Sequence, residues 1–266
     1  MRLYDAHNHL QDERFTGRQP ELVATSRAAG IVRMVVNGSC EEDWPRVTAL
    51  AVDHPDLVLP SFGIHPWHTH EVSSAWQSLL LRQLEIQPSA IGEIGLDRWK
   101  PDLPYAGQEE VFLWQLRLAA ERNLPVSIHC LRTWGRLHDL LRSHPRPDCG
   151  FLLHSYGGPQ EMVKPLANLG AYFSLPGAFA HERRTRQREL FLQVPPDRLL
   201  LETDAPDQRL PEDRNQHPLA DPASGDPINH PANLVAVYEF AAGLLREPLD
   251  RLAARIETNF RRLFGD

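Results

Sequence analysis

The stretch YDAHNHL, Tyr4 to Leu10, lies near the start of a 266-residue chain and places two histidines two positions apart. Alternate side chains leave the same face of an extended strand, so Asp5, His7 and His9 are predicted to converge. Converging imidazoles favour a metal site, but a single His-x-His is a short pattern that also fits ordinary surface or core histidines. The residues at the ends of the other strands decide between these interpretations.

YDAHNHL overlaps the first of eight short β-rich runs, and amphipathic segments separate these runs. In the segment Glu109–Arg122, for example, apolar residues recur at helical spacing. A strand followed by a helix, repeated eight times, is the pattern of an α/β protein of the (β/α)8 TIM-barrel class. The predicted strands are Leu3–Ala6, Val32–Val36, Leu57–Phe62, Ala90–Ile94, Val126–Ile128, Phe151–Leu153, Ala171–Ser174 and Leu199–Leu201.

An open doubly wound sheet is the alternative to a barrel. No G-x-G-x-x-G fingerprint follows the first run, and no shift in composition marks a second domain. We therefore expect one TIM-barrel domain over residues 1–266.

The composition of the chain disfavours several classes of protein. The chain is 42% apolar and 24% charged, as globular proteins are, and its net charge of −7 disfavours a broad grip on duplex nucleic acid without excluding a local phosphate site. Three cysteines without C-x-x-C spacing disfavour a disulfide framework and a thiolate zinc site. With no secretory signal and no run of 18 apolar residues, we expect a cytoplasmic protein without a membrane partner.

Residue types that bind metals occur at six of the eight predicted strand ends. Active-site residues of TIM barrels lie at the carboxyl ends of the strands, so these side chains are expected to meet. Four of the histidines and two carboxylates form a nitrogen and oxygen set that suits divalent ions and is too large for one open tetrahedral site. We therefore predict two metal ions. The residues at the six ends are His7 and His9, His65, Glu93, His129, His154, and Asp204.

A glutamate can bridge two ions about 3.5–4 Å apart, so that a shared water is deprotonated near neutral pH. Asp204 is then expected both to bind metal and to take the proton. Asp5 either orients one of the imidazoles or belongs to the packing of the barrel.

The motifs DAHNH, GIHPW, GEIGLD, SIHC, HSYGG and ETDAP occur in this order and resemble the TatD family of metal-dependent hydrolases and deoxyribonucleases. The resemblance spans nearly the whole chain. It implies that His65 lies near the substrate and that two divalent ions, zinc, magnesium or manganese, are bound. The implied ligands are His7, His9, Glu93 and Asp204 for one ion, and Glu93, His129 and His154 for the other.

The activity that this resemblance implies is hydrolysis of DNA phosphodiesters, with Glu93 and Asp204 as catalytic residues and Asp204 as the general base. Because the chain is acidic and a barrel mouth is recessed, ends or single strands are the expected substrates. Two alternatives stay open: the same metals acting on a small ester, lactone or amide, and a metal-binding scaffold without turnover. The sequence does not decide the oligomeric state, although a monomer is favoured.

Three positions at the predicted mouth depart from the family pattern and bear on substrate preference. Arg98–Trp99 follows GLD in place of an aromatic pair, Asp207–Gln208 follows ETDAP in place of an aromatic residue and leucine, and Ile228 replaces a usual arginine.

Other features near the strand ends allow two interpretations. Trp67, Trp99 and Trp134 either stack on bases or pack under loops. The arginines of HERRTRQR, His181–Arg188, either contact phosphates or form the solvated face of a helix. The proline-rich stretch Ala205–Pro231 is long for a connection between a strand and a helix, and we predict that it forms part of the active-site wall.

Overall fold

The predicted repeat of strands and helices folds into a barrel. In a computed structural model that describes residues 1–265, eight parallel strands form one sheet whose order follows the chain. Nearly all of their residues are buried, because helices cover the outer face and side chains fill the interior. The strands are β1 (Leu3–Asn8), β2 (Ile31–Asn37), β3 (Val58–Phe62), β4 (Ala90–Asp97), β5 (Val126–Leu131), β6 (Phe151–Leu153), β7 (Ala171–Pro176) and β8 (Leu199–Glu202).

Hydrogen bonds between the ends of β1 and β8 close the ring. Asp204 N donates to His7 O at 2.9 Å, and His9 N donates to Ala205 O at 2.8 Å. The Asp5 carboxylate accepts from the main-chain N of Thr203 at 2.9 Å and from its hydroxyl. Of the two roles considered for Asp5, the structure therefore shows packing and closure of the barrel. Burial raises the pKa of Asp5 to about 7, although its hydrogen bonds to Thr203 lower it.

Helices connect the strands on the outside of the barrel. The predicted helix Glu109–Arg122 is present and begins one residue earlier. It supports the strand ends directly, because Gln115 Oε1 accepts from Ile64 N and Gln108 Oε1 accepts from Asp97 N, both at 2.8 Å. Within residues 1–265 the α-helices are α1 (Gln19–Ala28), α2 (Trp44–Asp53), α3 (Trp76–Ile86), α4 (Gln108–Arg122), α5 (Trp134–Ser143), α6 (Val163–Asn168), α7 (Thr185–Phe191), α8 (Leu234–Leu245) and α9 (Leu249–Phe264).

The TIM barrel predicted from the sequence is confirmed, although several strands continue beyond their predicted ends. Strand β4 continues beyond the predicted end at Ile94, so Asp97 lies in the strand. The stretch Ala205–Pro231 contains a small antiparallel hairpin of β9 (Leu219–Ala220) and β10 (Pro227–Ile228). None of the helices within residues 1–265 has the length and apolar character that a membrane span requires.

Candidate metal centre

Glu93 lies at the carboxyl end of the barrel between two pairs of histidines. Its Oε2 is 3.5 Å from His7 Nε2 and 3.3 Å from His9 Nε2. Its Oε1 is 3.1 Å from His129 Nδ1 and 2.7 Å from His154 Nε2. The two oxygens of this buried carboxylate therefore face two different histidine pairs.

Asp204 completes the first group, which we call the His7 side: His7, His9, Asp204 and Glu93 Oε2. Asp204 Oδ1 is 3.6 Å from His7 Nε2 and 3.5 Å from His9 Nε2, and the two imidazole nitrogens are 3.2 Å apart. Asp204 has a positive φ of 51°, a conformation that residues in functional sites adopt when their surroundings hold them there. The hydrogen bonds of Asp204 N to His7 O and of Asp207 N to Asp204 O hold this turn.

Neighbouring groups orient the imidazoles of the His7 side. The Nδ1 of His9 is 2.8 Å from the carbonyl oxygen of Asn37. Because a carbonyl only accepts hydrogen bonds, Nδ1 carries the proton, and in a neutral ring the lone pair lies on Nε2 and faces Glu93 and Asp204. His7 Nδ1 lies 2.7 Å from Ser127 Oγ, which turns its Nε2 to the same point.

The second group, the His129 side, comprises His129, His154 and Glu93 Oε1. His129 Nε2 is 2.9 Å from Asp97 Oδ2, so its proton lies on Nε2 and Nδ1 faces Glu93. His154 Nδ1 lies 3.8 Å from Oε1 of the buried Glu202. A carboxylate therefore hydrogen-bonds His129, whereas the carboxylate nearest to His154 Nδ1 lies beyond hydrogen-bond distance.

His65 faces the same carboxylate but presents a different atom. Its Nδ1 accepts a hydrogen bond from Trp67 N at 3.1 Å, so in the neutral ring the proton lies on Nε2. Nε2 is 3.4 Å from Glu93 Oε1 and is a donor rather than a free lone pair. Burial lowers the pKa of His65 to about 3, which keeps the ring neutral. This geometry suits a hydrogen-bond donor beside the metal ligands better than a ligand.

The electrostatics of the centre favour positive charge between its carboxylates. Burial alone would raise the pKa of Glu93, but His154 and His65 lower it well below its usual value. Burial alone would lower the pKa of His154, but Glu93 and Glu202 raise it well above its usual value. Protons or divalent cations supply this charge, and a set of imidazoles and carboxylates without thiolates suits zinc or manganese. The residues present therefore fit a divalent metal.

The tryptophans near the strand ends differ in accessibility. Trp67 Nε1 donates to Asp97 Oδ2 at 2.7 Å, and Lys100 Nζ lies 3.3 Å from the centroid of its ring, so that ring face is occupied. The Trp99 side chain is 49% exposed and is open to stacking. Trp134 packs edge-on against Tyr156 at 4.6 Å, as the packing interpretation predicts.

The three departures from the family pattern have different surroundings. The Arg98 guanidinium lies 3.9 Å from the centroid of the Tyr105 ring. Asp207 pairs with Arg14 through two hydrogen bonds, of 3.0 and 2.9 Å. Ile228 is buried in β10.

The long stretch Ala205–Pro231 and the arginine run His181–Arg188 meet at a cavity of about 600 Å³. Residues 206–210 and 226–228 line it together with Arg183 and Arg184, whereas none of the proposed metal ligands does, so that a place for this stretch in the active-site wall stays a prediction. Arg188 instead turns back to bond the main-chain oxygens of Phe179, His181 and Glu182. Part of the arginine run therefore lines the cavity, and Arg188 stabilises the main chain of the same loop.

Four residues near the imidazole nitrogens that face away from Glu93 were not predicted from the sequence: Asp97, Glu202, Ser127 and Asn37. A signal existed for two of them. Asp97 lies four residues after Glu93, and Glu202 two residues before Asp204, which are the spacings of one strand face. Ser127 and Asn37 carry no comparable signal, because their roles depend on which strands are neighbours.

Comparison with known proteins adds to this geometry. A family model described as TatD related DNase matches residues 4–265. The chain is 30% identical over 267 residues to the uncharacterized metal-dependent hydrolase YjjV of Escherichia coli, covering 99% of this chain and 98% of that protein. It is 32% identical over 265 residues to the 3'-5' ssDNA/RNA exonuclease TatD of Pantoea vagans, covering 98% and 99%. The crystal structure of YjjV, a TatD homolog from Escherichia coli, matches with a TM-score of 0.89 at 28% identity, covering 99% of this chain and 98% of that one.

Proposed function

The chain belongs to the family of TatD-related DNases, and on this premise we propose that it is an exonuclease that hydrolyses DNA phosphodiesters at ends or in single strands. The observation that carries the proposal is the position of Glu93, with one carboxylate oxygen toward each histidine pair. Such a carboxylate suits a bridge between two cations. The relative from Pantoea vagans, named as a 3'-5' ssDNA/RNA exonuclease, supports the substrate class and suggests the polarity.

Two divalent ions complete the proposed centre. Bound ions of this kind polarise phosphate oxygens and lower the pKa of a water molecule. Zinc and manganese suit the imidazole-rich set better than magnesium, which prefers oxygen ligands. The proposed ligands are His7, His9, Glu93 and Asp204 for one ion, and Glu93, His129 and His154 for the other.

The residues of the chain then divide the work of hydrolysis. Asp204 takes the proton of the attacking water on its carboxylate, and Glu93 fixes the spacing of the two histidine pairs. His65 donates from Nε2 to an oxygen of the substrate. Trp99 offers an exposed indole on which a terminal base stacks, and Trp67 lies beside His65, with their ring centroids 4.9 Å apart.

Metal-stripped and metal-reconstituted protein, tested on labelled single-stranded DNA, duplex DNA and a panel of small esters, lactones and amides, checks the proposal. We expect single-stranded DNA to be cleaved fastest and only after metal is restored. His129→Ala and Asp204→Asn should each lose roughly 1,000-fold or more of this activity. Glu110→Gln, an exposed change on α4, is the control.

Two results would contradict the proposal. Full nuclease activity in both variants would remove His129 and Asp204 from the reaction. Turnover of a small ester, lactone or amide in the absence of any DNA cleavage would favour the alternative substrate class for the same metal centre.

A further inference from the structure

A cavity of about 600 Å³ lies beside the candidate metal centre, between the loops that follow β7 and β8. We call it the arginine cavity, because Arg14, Arg183, Arg184 and Arg209 are among its lining residues. Its wall includes Pro206, two residues after Asp204, and two residues span at most about 7 Å. A strand of nucleic acid with one linkage at Asp204 therefore passes close to this cavity.

Two of these arginines have unused hydrogen-bonding capacity. The Nε atoms of Arg184 and Arg209 are buried, and within residues 1–265 no acceptor bonds either of them. A buried N–H without an acceptor costs free energy, so both positions favour a ligand that brings acceptor oxygens. Guanidinium groups match phosphate oxygens in geometry as well as in charge.

Four acidic residues also line the cavity, and they leave the Nε groups of Arg184 and Arg209 without an acceptor. Asp207 is paired with Arg14. Asp221 accepts from Ala223 N at 2.9 Å and from Ser224 Oγ at 3.1 Å within its own turn. Of the remaining two, Asp226 is exposed, and the exposed Glu212 pairs with Arg209 through Nη2 at 3.4 Å, which leaves Nε of Arg209 without an acceptor.

The two loops that carry Arg184 and Arg209 are linked to each other. His181 Nε2 donates to Arg209 O at 3.1 Å, which joins the loop after β7 to the loop after β8. Arg188 bonds the carbonyls of Phe179 and His181 and so fixes the segment that precedes Arg184. The main chain that carries both arginines is therefore held in place before any ligand arrives, which lowers the entropy lost on binding.

We propose that the arginine cavity binds a second phosphate of the nucleic-acid strand, the one adjoining the scissile linkage, through Arg184 and Arg209. The inference rests on the proposed function and adds a subsite to it. Arg184 and Arg209 act in substrate binding, and the bond that is cleaved lies at Glu93 and Asp204. The cavity explains how an acidic protein holds a polyanion at one local site.

Substrates with one or two phosphates separate this subsite from the metal centre. We would compare a thymidine dinucleotide, a trinucleotide, and trinucleotides in which either linkage is an uncharged methylphosphonate. For Arg184→Gln and Arg209→Gln we expect kcat/KM on the trinucleotide to fall about ten- to hundredfold, mainly through KM. The loss on the dinucleotide should be at least about tenfold smaller, since one charged hydrogen bond is worth that factor.

Controls make the result specific to the cavity. Arg186→Gln removes an exposed arginine on α7 that does not line the cavity, and it should not change either rate. In the wild-type protein, the methylphosphonate that neutralises the adjoining phosphate should reproduce the loss seen in the variants. The same methylphosphonate should cause little further loss in Arg184→Gln.

The contradicting results separate the subsite from the function on which it rests. Wild-type protein that cleaves neither nucleotide refutes the proposed function. Wild-type protein that cleaves both, with variants that lose nothing or lose equally on the two substrates, refutes the subsite alone. An equal loss accompanied by a lower melting temperature assigns Arg184 and Arg209 to stability instead.

Discussion

The two sides of Glu93 present the same number of imidazoles but support them differently. On the His7 side the ring nitrogens that face away from the centre bond neutral groups, the carbonyl oxygen of Asn37 and the hydroxyl of Ser127. On the His129 side they face carboxylates, with Asp97 2.9 Å from His129 and Glu202 3.8 Å from His154. The two sides therefore differ in the charge behind the histidines, and only the His7 side has a second carboxylate, Asp204, in front of them.

These differences bear on the affinity of each side for metal. A carboxylate behind an imidazole raises the basicity of the ring and fixes its tautomer, so the ring is a stronger ligand. We therefore expect the groups behind the rings to contribute more to metal affinity on the His129 side, whereas the His7 side has Asp204 as an additional ligand. Solvent reaches the two sides to a similar degree, since the side chains of Asp204 and His129 are each 10% exposed.

Glu93→Gln should abolish metal binding on both sides, because both sides depend on this carboxylate. The change keeps the size of the side chain but removes the charge and one acceptor oxygen. We expect both equivalents of metal to be lost on dialysis and DNA hydrolysis to fall by roughly 1,000-fold or more. Metal analysis of the dialysed protein, with exposed Glu110→Gln as the control, measures this. If both equivalents were retained, the histidines alone would hold the ions.

Gly95→Ala should damage the His129 side and spare the His7 side. Gly95 has φ +152°, and a Cβ at this position would lie 1.9 Å from the carbonyl oxygen of His129. Strands β4 and β5 must then separate where Gly95 pairs with His129. We expect the free energy of unfolding to fall by about 2–3 kcal/mol and the metal of the His129 side to be lost first.

Gly135→Ala is the matched control for this change. Gly135 lies in α5, and a Cβ there would meet no described atom within 4 Å. Because alanine favours helix, the control should be neutral or slightly stabilising in urea unfolding. A Gly95→Ala protein as stable as this control, with both metals bound, would show that the strands accommodate the extra carbon.

Gly95 also shows where sequence interpretation ends. The eight strands were predictable because buried parallel strands form short apolar runs, and the ligands were predictable because they follow those runs. The residues behind the ligands were not predictable. Asp97 reaches His129 only because β4 pairs with β5, and the register of this pairing cannot be derived from either segment alone. The predicted end of β4 at Ile94 also left Asp97 outside the strand. The same limit applies to Arg184 and Arg209, which line one cavity from two different loops.

Asp97→Asn should weaken the His129 side without removing it. The asparagine amide either accepts from His129 less strongly than the carboxylate or donates to Nε2, which moves the imidazole proton to Nδ1 and removes the lone pair that faces Glu93. We expect metal affinity of the His129 side to fall about 10- to 100-fold. Titration with zinc or manganese of the stripped protein measures this. Exposed Asp102→Asn on the following loop is the control, and an affinity equal to that control would leave Asp97 a packing role only.

Ser127→Ala is the corresponding change on the His7 side and should have the smallest effect. The hydroxyl lies 2.7 Å from His7 Nδ1 and carries no charge, so its loss removes orientation but little basicity. We expect the affinity of the His7 side for metal to fall by less than about tenfold, since a neutral hydrogen bond contributes about 1 kcal/mol, and the His129 side to be unchanged. The same metal titration, with exposed Ser143→Ala for comparison, tests this ranking. A loss in Ser127→Ala as large as that in Asp97→Asn would mean that ring orientation, rather than the charge behind the ring, sets the strength of both sides.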